Sequence, residues 1–172
     1  MLGLWTSGMA SCAKPEAAEA PAPPLVSPVV YFEELGAFLP GTPSGYEQVR
    51  DRGSTGKYGE VCVSEAERAF TREGAEVSIR IVDTTLGPRL RSAIRAAVVD
   101  AMARPADDPT APILTDTAVG FVRYDAEKAR AEANLLVGDR FVVVFVTEGI
   151  AGTQELRRLA RGLDLAGLAK LR

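Results

Sequence analysis

The sequence of 172 residues predicts an α+β fold, in which an antiparallel sheet of about six strands packs against two main helices in a βββα-βββα plan, after a short N-terminal helix. Three observations support this fold class. Alternating apolar and polar residues over 75–83 indicate a half-buried strand. Between Pro88 and Pro105, apolar residues recur at helical spacing. Gly138-Asp139 lies between two extended runs and predicts a tight hairpin turn.

The first half of the domain begins with a short helix. Residues 29–40 place apolar side chains at near-helical spacing and end at Pro40. Extended runs over 46–50 and 60–70 flank the glycine-rich segment 51–59, which we interpret as a hairpin loop. The strand over 75–83 and the helix before Pro105 complete the first βββα half.

The second half begins with a long connection, residues 105–117, which contains three prolines and is predicted to be a loop. Three strands follow, over 118–124, 127–137 and 140–147. The last of them is apolar on both faces, which predicts a central strand that is covered on both sides. A final helix is expected to begin at Thr153.

The composition excludes several functional classes. The chain has no histidine, which removes the commonest general base, Ser-His-Asp and Cys-His catalytic sites, and His-ligated zinc or haem. A net charge of −3 and a pI near 5.2 argue against nucleic acid as a partner, because phosphate contacts need clustered positive charge. The sequence shows no combination of nucleophile, base and orienting group, so we expect a protein that is not an enzyme and uses no cofactor.

Carboxylates near predicted strand ends are the remaining candidates for acid-base chemistry: Asp83, Asp116, Asp125, Glu148 and the Glu65-x-Glu67 pair. Two carboxylates about 5 to 9 Å apart can cleave glycosidic bonds. Such enzymes usually need aromatic platforms for the sugar, and aromatic residues make up only 6% of this chain. Turn and capping roles are therefore favoured. The loop carboxylates Asp107, Asp108 and Asp116 supply too few oxygens for Ca²⁺, so no metal site is predicted.

Two further features lack part of what a reactive site needs. Residues 51–59 include Gly-Ser-Thr-Gly-Lys, but a phosphate-binding P-loop needs glycine in place of Asp51 and serine or threonine in place of Tyr58, and it must open a helix. Cys62 lies in an alternating run and has no histidine to activate it. We therefore expect Cys62 to be a small buried apolar side chain.

The N-terminus has the pattern of an exported protein. Residues 1–11 are uncharged and mildly apolar, and Met9-Ala10-Ser11-Cys12 fits three of the four positions of a lipobox. The 16 residues from Ala13 to Pro28 are rich in Pro, Ala and Glu. They predict a semi-rigid extended tether that spans about 50 Å. This arrangement resembles small exported bacterial lipoproteins of unknown function.

The resemblance implies a partial signal peptide over 1–11, a lipidation site at Cys12 with a tether over 12–28, and a single α+β domain over 29–172. It also implies a lipid-anchored location in the bacterial cell envelope, with the domain facing the periplasm or the cell surface. Residues 1–11 lack a basic n-region and are shorter than a signal peptide. Two alternatives therefore stay open: a start codon placed too far downstream, or an N-terminal tail with an incidental cysteine.

Polar side chains on the predicted sheet suggest a binding role. If the helices cover only one face, the other face exposes polar residues that can meet a partner such as an envelope protein: Ser78, Arg80, Lys128, Arg130 and Glu132. We therefore expect a non-enzymatic binding or interaction domain attached to the membrane. The alternative is a periplasmic small-ligand-binding or hydrolytic domain that uses carboxylates in a pocket between sheet and helices. For any one of these polar residues, simple solvation is the competing interpretation.

Overall fold

A computed structural model describes residues 29–105 and 108–171 of the protein. The predicted signal peptide, Cys12 and the tether lie outside the described residues. The strands are β1 (Glu47–Tyr58), β2 (Val61–Arg72), β3 (Ala75–Thr84), β4 (Thr110–Leu114), β5 (Ala118–Asp125), β6 (Arg130–Val137) and β7 (Phe141–Glu148). They form one antiparallel sheet in the order β1-β2-β3-β7-β6-β5-β4.

Helices pack on both faces of this sheet. They are α1 (Phe32–Gly36), α2 (Gly87–Met102), α3 (Gln154–Arg161) and α4 (Leu165–Leu168). Helices α1, α3 and α4 share one core with the sheet, and α2 contributes to a second, smaller core. The fold is α+β, as predicted. Within the described residues, no helix is both long and apolar enough to span a membrane.

The larger core lies between the sheet and helices α1, α3 and α4. Alternate residues of the central strands point into it, including Phe70, Ile79 and Phe145, which are fully buried. Burying a side chain of this size contributes about 1.5–3 kcal/mol, so this face supplies most of the apolar stabilisation. Cys62 lies in β2 and is buried, as the sequence predicts.

The smaller core lies on the opposite face, where Ile94 and Val98 of α2 pack near Leu136 and Val142. Helix α2 contacts β4, β5 and β6 and also packs against Val82 of β3. Among the described helices, only α2 packs in this core. The part of the face nearest the β2–β3 and β5–β6 turns is therefore left uncovered by the described helices.

The strand count differs from the prediction, because the segment predicted as a loop contains β4. This strand lies at one edge of the sheet and pairs with β5, Pro112 lying opposite Phe121. An edge strand tolerates proline, since one of its sides makes no ladder hydrogen bonds. The sheet thus has seven strands, and the second half of the domain has the order ββββα rather than the predicted βββα.

The predicted hairpin loop over 51–59 is also wrong in position. Strand β1 continues through this segment to Tyr58, and the turn follows at Gly59, which has a φ of 64°. Gly53 lies within the strand, where a β-carbon would overlap the Phe32 ring of α1. This glycine therefore allows α1 to pack closely on β1 and does not form a turn.

Strand β7 is the central strand of the seven, as predicted. On the face that α2 packs against, β7 is only partly covered: Val142 is buried beside α2, whereas Val144 and Val146 are half-buried. The idea that all helices share one face is wrong, since α2 lies on the face opposite α1, α3 and α4.

The Gly138-Asp139 turn is confirmed: both residues have positive φ, and the Arg140 N–H donates to the Val137 carbonyl at 3.1 Å.

Candidate functional site

The uncovered part of the sheet brings together polar residues that were predicted from the sequence. Ser78 of β3 pairs with Val146 of β7, and Val146 pairs in turn with Glu132 of β6. The next row on the same face consists of Arg80, Val144 and Asn134. We call this surface the open sheet face and define it by these six residues and Arg130. It is a flat polar surface with two half-buried valines at its centre.

Lys128 lies at the margin of the open sheet face, in the turn between β5 and β6. Its ammonium group is 3.1 Å from a carboxylate oxygen of Asp125. This contact holds the pKa of Asp125 below its usual range, through hydrogen bonds from the Lys128 side chain and backbone. The turn borders a shallow depression of about 110 Å³ that Arg123, Arg130 and Glu132 also line.

The arginines of the open sheet face are held by long ion pairs. Arg80 lies 3.7 Å from Glu65, while Arg130 lies 3.7 Å from Glu132 and 3.8 Å from Glu148. These distances exceed those of ordinary N–H···O hydrogen bonds. The Nε of Arg130 is buried and has no hydrogen-bond partner within the described chain. The buried Nε is out of a partner's reach, but the long ion pairs leave the terminal nitrogens of both guanidinium groups able to donate to a partner.

Beside these arginines, Glu67 forms a much tighter cluster. It is only 7% exposed and accepts hydrogen bonds from Arg50 at 3.0 Å and from Arg52 at 2.8 Å. Burial alone raises the pKa of Glu67, but the hydrogen bonds from Arg52 and Arg50 outweigh it and lower the pKa below the usual value. The cluster ties β1 to β2 and keeps Glu67 charged, so its first role is structural.

The candidate carboxylates do not converge on one point. Asp83 belongs to the opposite face of the sheet, and Asp116 lies in the exposed β4–β5 connection. The others lie on or beside the open sheet face: Glu65, Glu67, Asp125 and Glu148. Within 29–105 and 108–171, no three or more His, Cys, Asp or Glu side chains are grouped to hold a metal ion. Asp107, which was considered for Ca²⁺, lies outside the described residues.

Asp83 anchors the point at which the described chain enters the domain. It is 2% exposed, and its carboxylate accepts from the backbone N–H of Val30 at 2.8 Å and from Arg140 at 2.7 Å and 3.2 Å. Because a buried carboxylate needs such partners, the arrangement explains its burial. Asp83 is therefore a positioning residue for the chain entry.

No family model, curated protein or solved structure matches this chain. Any function must therefore be inferred from the geometry and chemistry of its own residues.

A second polar cluster links Tyr46, the residue before β1, to α3. The Tyr46 hydroxyl donates to Glu155 at 2.6 Å, and Arg158 binds both oxygens of the same carboxylate. Burial, followed by the hydrogen bond to Glu155, raises the pKa of Tyr46 to about 12. The hydrogen bonds from Arg158, joined by that from Tyr46, overcome burial and lower the pKa of Glu155 to about 2. The Arg72 guanidinium lies 4.4 Å from the centre of the Tyr46 ring.

An apolar cleft opens on the face opposite the open sheet face, between the β4–β5 edge and helices α3 and α4. Its volume is about 430 Å³, within the range of small-molecule sites. Ile113, Leu135 and Leu163 contribute to its floor and walls, and Arg157 and Arg161 of α3 border it.

Sequence reasoning missed this cleft, although part of the signal was present. Arg157 and Arg161 stand four residues apart on the predicted final helix, so they share a face. A basic face on a surface helix is ordinarily solvated, so the spacing alone does not indicate a binding site. A pocket between sheet and helices was the alternative expectation, but the β4 strand that forms one wall of the cleft was not predicted.

Proposed function

We propose that this protein is a lipoprotein of the cell envelope, anchored through Cys12, whose domain binds an envelope protein through the open sheet face. The observation that carries the proposal is the alignment of Ser78, Val146 and Glu132 in one half-buried row, across three central strands and outside the cover of the described helices. Central strands are normally covered. A partner that covers this surface would complete the second face of the sheet.

The chemistry of the open sheet face suits a protein partner. Arginine is enriched in protein interfaces, and a typical interface combines an apolar centre with a polar rim. Val144 and Val146 supply the apolar centre here, between Arg80 on one side and Glu132 on the other. The long ion pairs at 3.7–3.8 Å are exposed and contribute little to folding. Ion pairs with a partner's side chains can therefore replace them at a small cost in free energy.

The anchor rests on Met9–Cys12 and the Pro/Ala-rich tether. Intact mass measurement of membrane-extracted protein tests the anchor. We expect a diacyl-modified chain that begins at Cys12. The Cys12→Ser variant should no longer be found in the membrane fraction. An unmodified chain that retains residues 1–11, or membrane association that is unchanged in the Cys12→Ser variant, would refute the anchor.

The binding surface is tested with two matched arginine variants of the full chain. Arg80 lies on the open sheet face, whereas Arg89 is an exposed residue of α2. We expect Arg80→Ala to weaken capture of a specific envelope protein by about tenfold or more, as for arginines central to interfaces. Arg89→Ala should bind as the wild type does. Equal capture by both variants, once their thermal stability is shown to be alike, would exclude this surface.

The alternative of a hydrolytic domain requires paired carboxylates in a pocket between sheet and helices. The apolar cleft lies in that place, but the one carboxylate on its described lining is Asp164. Asp164 accepts a hydrogen bond from the Gly167 N–H at 2.8 Å and so caps α4. The cleft thus favours ligand binding over acid-base catalysis.

A further inference from the structure

The apolar cleft lies against one row of the sheet, in which the central position is a closely packed glycine. On β5, Gly120 lies between Ile113 of β4 and Leu135 of β6 in the same row of the sheet. A β-carbon at Gly120 would overlap the Asn134 carbonyl and the Leu135 side chain. The row therefore has no side chain at its centre. Ala160 of α3 lines the cleft together with Ile113 and Leu135 of this row.

Two arginines border this apolar space without an ion pair to any residue that the structure describes. Arg157 and Arg161 both line the cleft and are exposed. Within the described residues, Arg157 makes one long hydrogen bond, 3.4 Å from its Nε to the Thr153 hydroxyl, and neither arginine has a carboxylate within ion-pair distance. Their neighbour Arg158, in contrast, is paired with Glu155 at 2.7 Å.

Like charges four residues apart on a helix destabilise it. The positive charge of Arg161 is partly offset because it lies in the last turn of α3, where the helix dipole favours cations. Arg157 lies one turn earlier and has no such compensation. The pair therefore costs the helix a little stability, and an anionic ligand between the two guanidinium groups would offset this cost.

We propose that the cleft binds a single-chain amphiphile with an anionic head, of the fatty-acid class. Its hydrocarbon chain lies against Ile113, Leu135 and Leu163, and its carboxylate pairs with Arg161 and Arg157. The site lies on the opposite side of the sheet from the open sheet face and does not depend on the proposed protein partner.

Titration calorimetry of the full-length protein with three probes tests the ligand class. Decanoate has both the chain and the charge, decanol has only the chain, and acetate has only the charge. We expect decanoate to bind at least about tenfold more tightly than either of the others, because a charge-assisted hydrogen bond and chain burial each contribute on this scale. Equal binding of decanoate and decanol, or of decanoate and acetate, would overturn the proposal.

Three variants locate the site. Arg161→Gln should weaken decanoate binding by about tenfold, while Arg89→Gln, an exposed arginine on α2, should leave it unchanged. Ala166 is exposed on α4 and borders the cleft, so Ala166→Phe should block entry without disturbing the core. Thermal unfolding without ligand checks that each variant is folded. Undiminished binding to Arg161→Gln, or to Ala166→Phe, would place the ligand elsewhere and refute the assignment.

Discussion

At the scale of single residues, Asp83 shows how one buried carboxylate fixes the geometry of the chain entry. It binds the Val30 backbone and the Arg140 guanidinium while being almost fully buried. We expect Asp83→Asn to lower the free energy of unfolding by roughly 2 kcal/mol or more, because it removes the negative charge from a buried ion pair with Arg140. Urea denaturation of the full chain measures the change.

The matched control for this substitution is Asp139→Asn. Asp139 is paired with Arg95, but both side chains are more than half exposed, and asparagine tolerates the positive φ at this turn. The expected change is within about 0.5 kcal/mol. Equal effects of the two substitutions would show that Asp83 is not the stabilising contact that the structure indicates.

The Asp83 contacts could not be predicted from the sequence, although Asp83 itself was noted. Its partners are distant along the chain, Val30 on one side and Arg140 on the other, and only the folded sheet brings them together. Cys62 could be predicted, because the alternation of its own neighbours determines its burial. Local sequence patterns thus predict the burial of a single residue, but not the contacts between residues that are distant along the chain.

Glu155 gives the domain a testable dependence on acid. Its pKa falls from 4.5 to about 2 in the folded state, chiefly through the Arg158 hydrogen bonds. A lowered pKa contributes stability above the unfolded value, and that stability is lost as pH falls from about 4.5 to about 2. Since Arg158 is half exposed, the contribution is about 1 kcal/mol.

Glu155→Gln should therefore be less stable than the wild type at neutral pH, and the difference should shrink as pH falls through this window. Unfolding free energies of both proteins across the window measure it. Tyr46→Phe removes only the second hydrogen bond and should retain most of the acid dependence. A constant gap between the wild type and Glu155→Gln at every pH would contradict the assignment.

At the scale of elements, the packing of α1 on β1 depends on one glycine. A β-carbon at Gly53 would overlap the Phe32 ring and lie against the Glu65 carbonyl. We expect Gly53→Ala to destabilise the domain by about 1–3 kcal/mol, as overpacking usually does. Gly56, in the same strand, has only ordinary contact with Tyr58 at 3.4 Å.

Gly56→Ala is therefore the matched control, expected to be neutral or slightly stabilising, since alanine restricts the unfolded chain. Thermal unfolding of both variants checks the difference. If Gly53→Ala were as stable as Gly56→Ala, α1 would not be packed on β1 in solution as described.

Elements with strong periodicity could be predicted from the sequence, and those that depend on tertiary position could not. Strand β3 and helix α2 have clear patterns of period 2 and 3.6. Strand β4 contains Pro112 and exists as a strand because β5 offers it an edge. The glycines of 51–59 suggested a turn, whereas at Gly53 the packing of Phe32 requires the missing side chain.

At the scale of the whole molecule, the chain entry and the open sheet face lie toward different ends of the sheet. Val30 is fixed at Asp83, near the end of β3, and Ser78 lies five residues earlier on that strand, about 17 Å away. A tether that joins at Val30 would thus leave the proposed binding surface on the side away from its attachment. The polar composition of that surface could be predicted from the alternation of Ser78 and Arg80, but its exposure depends on where α2 packs.

The most direct test of the proposed function is site-specific photo-crosslinking in intact cells, with the reactive residue placed at Val146 or at Val99. Val146 lies at the centre of the open sheet face, while Val99 is 67% exposed on α2. We expect one discrete crosslinked envelope protein from position 146 and none from position 99. No adduct at 146, or the same adducts from both positions, would contradict the claim that this face is the binding surface.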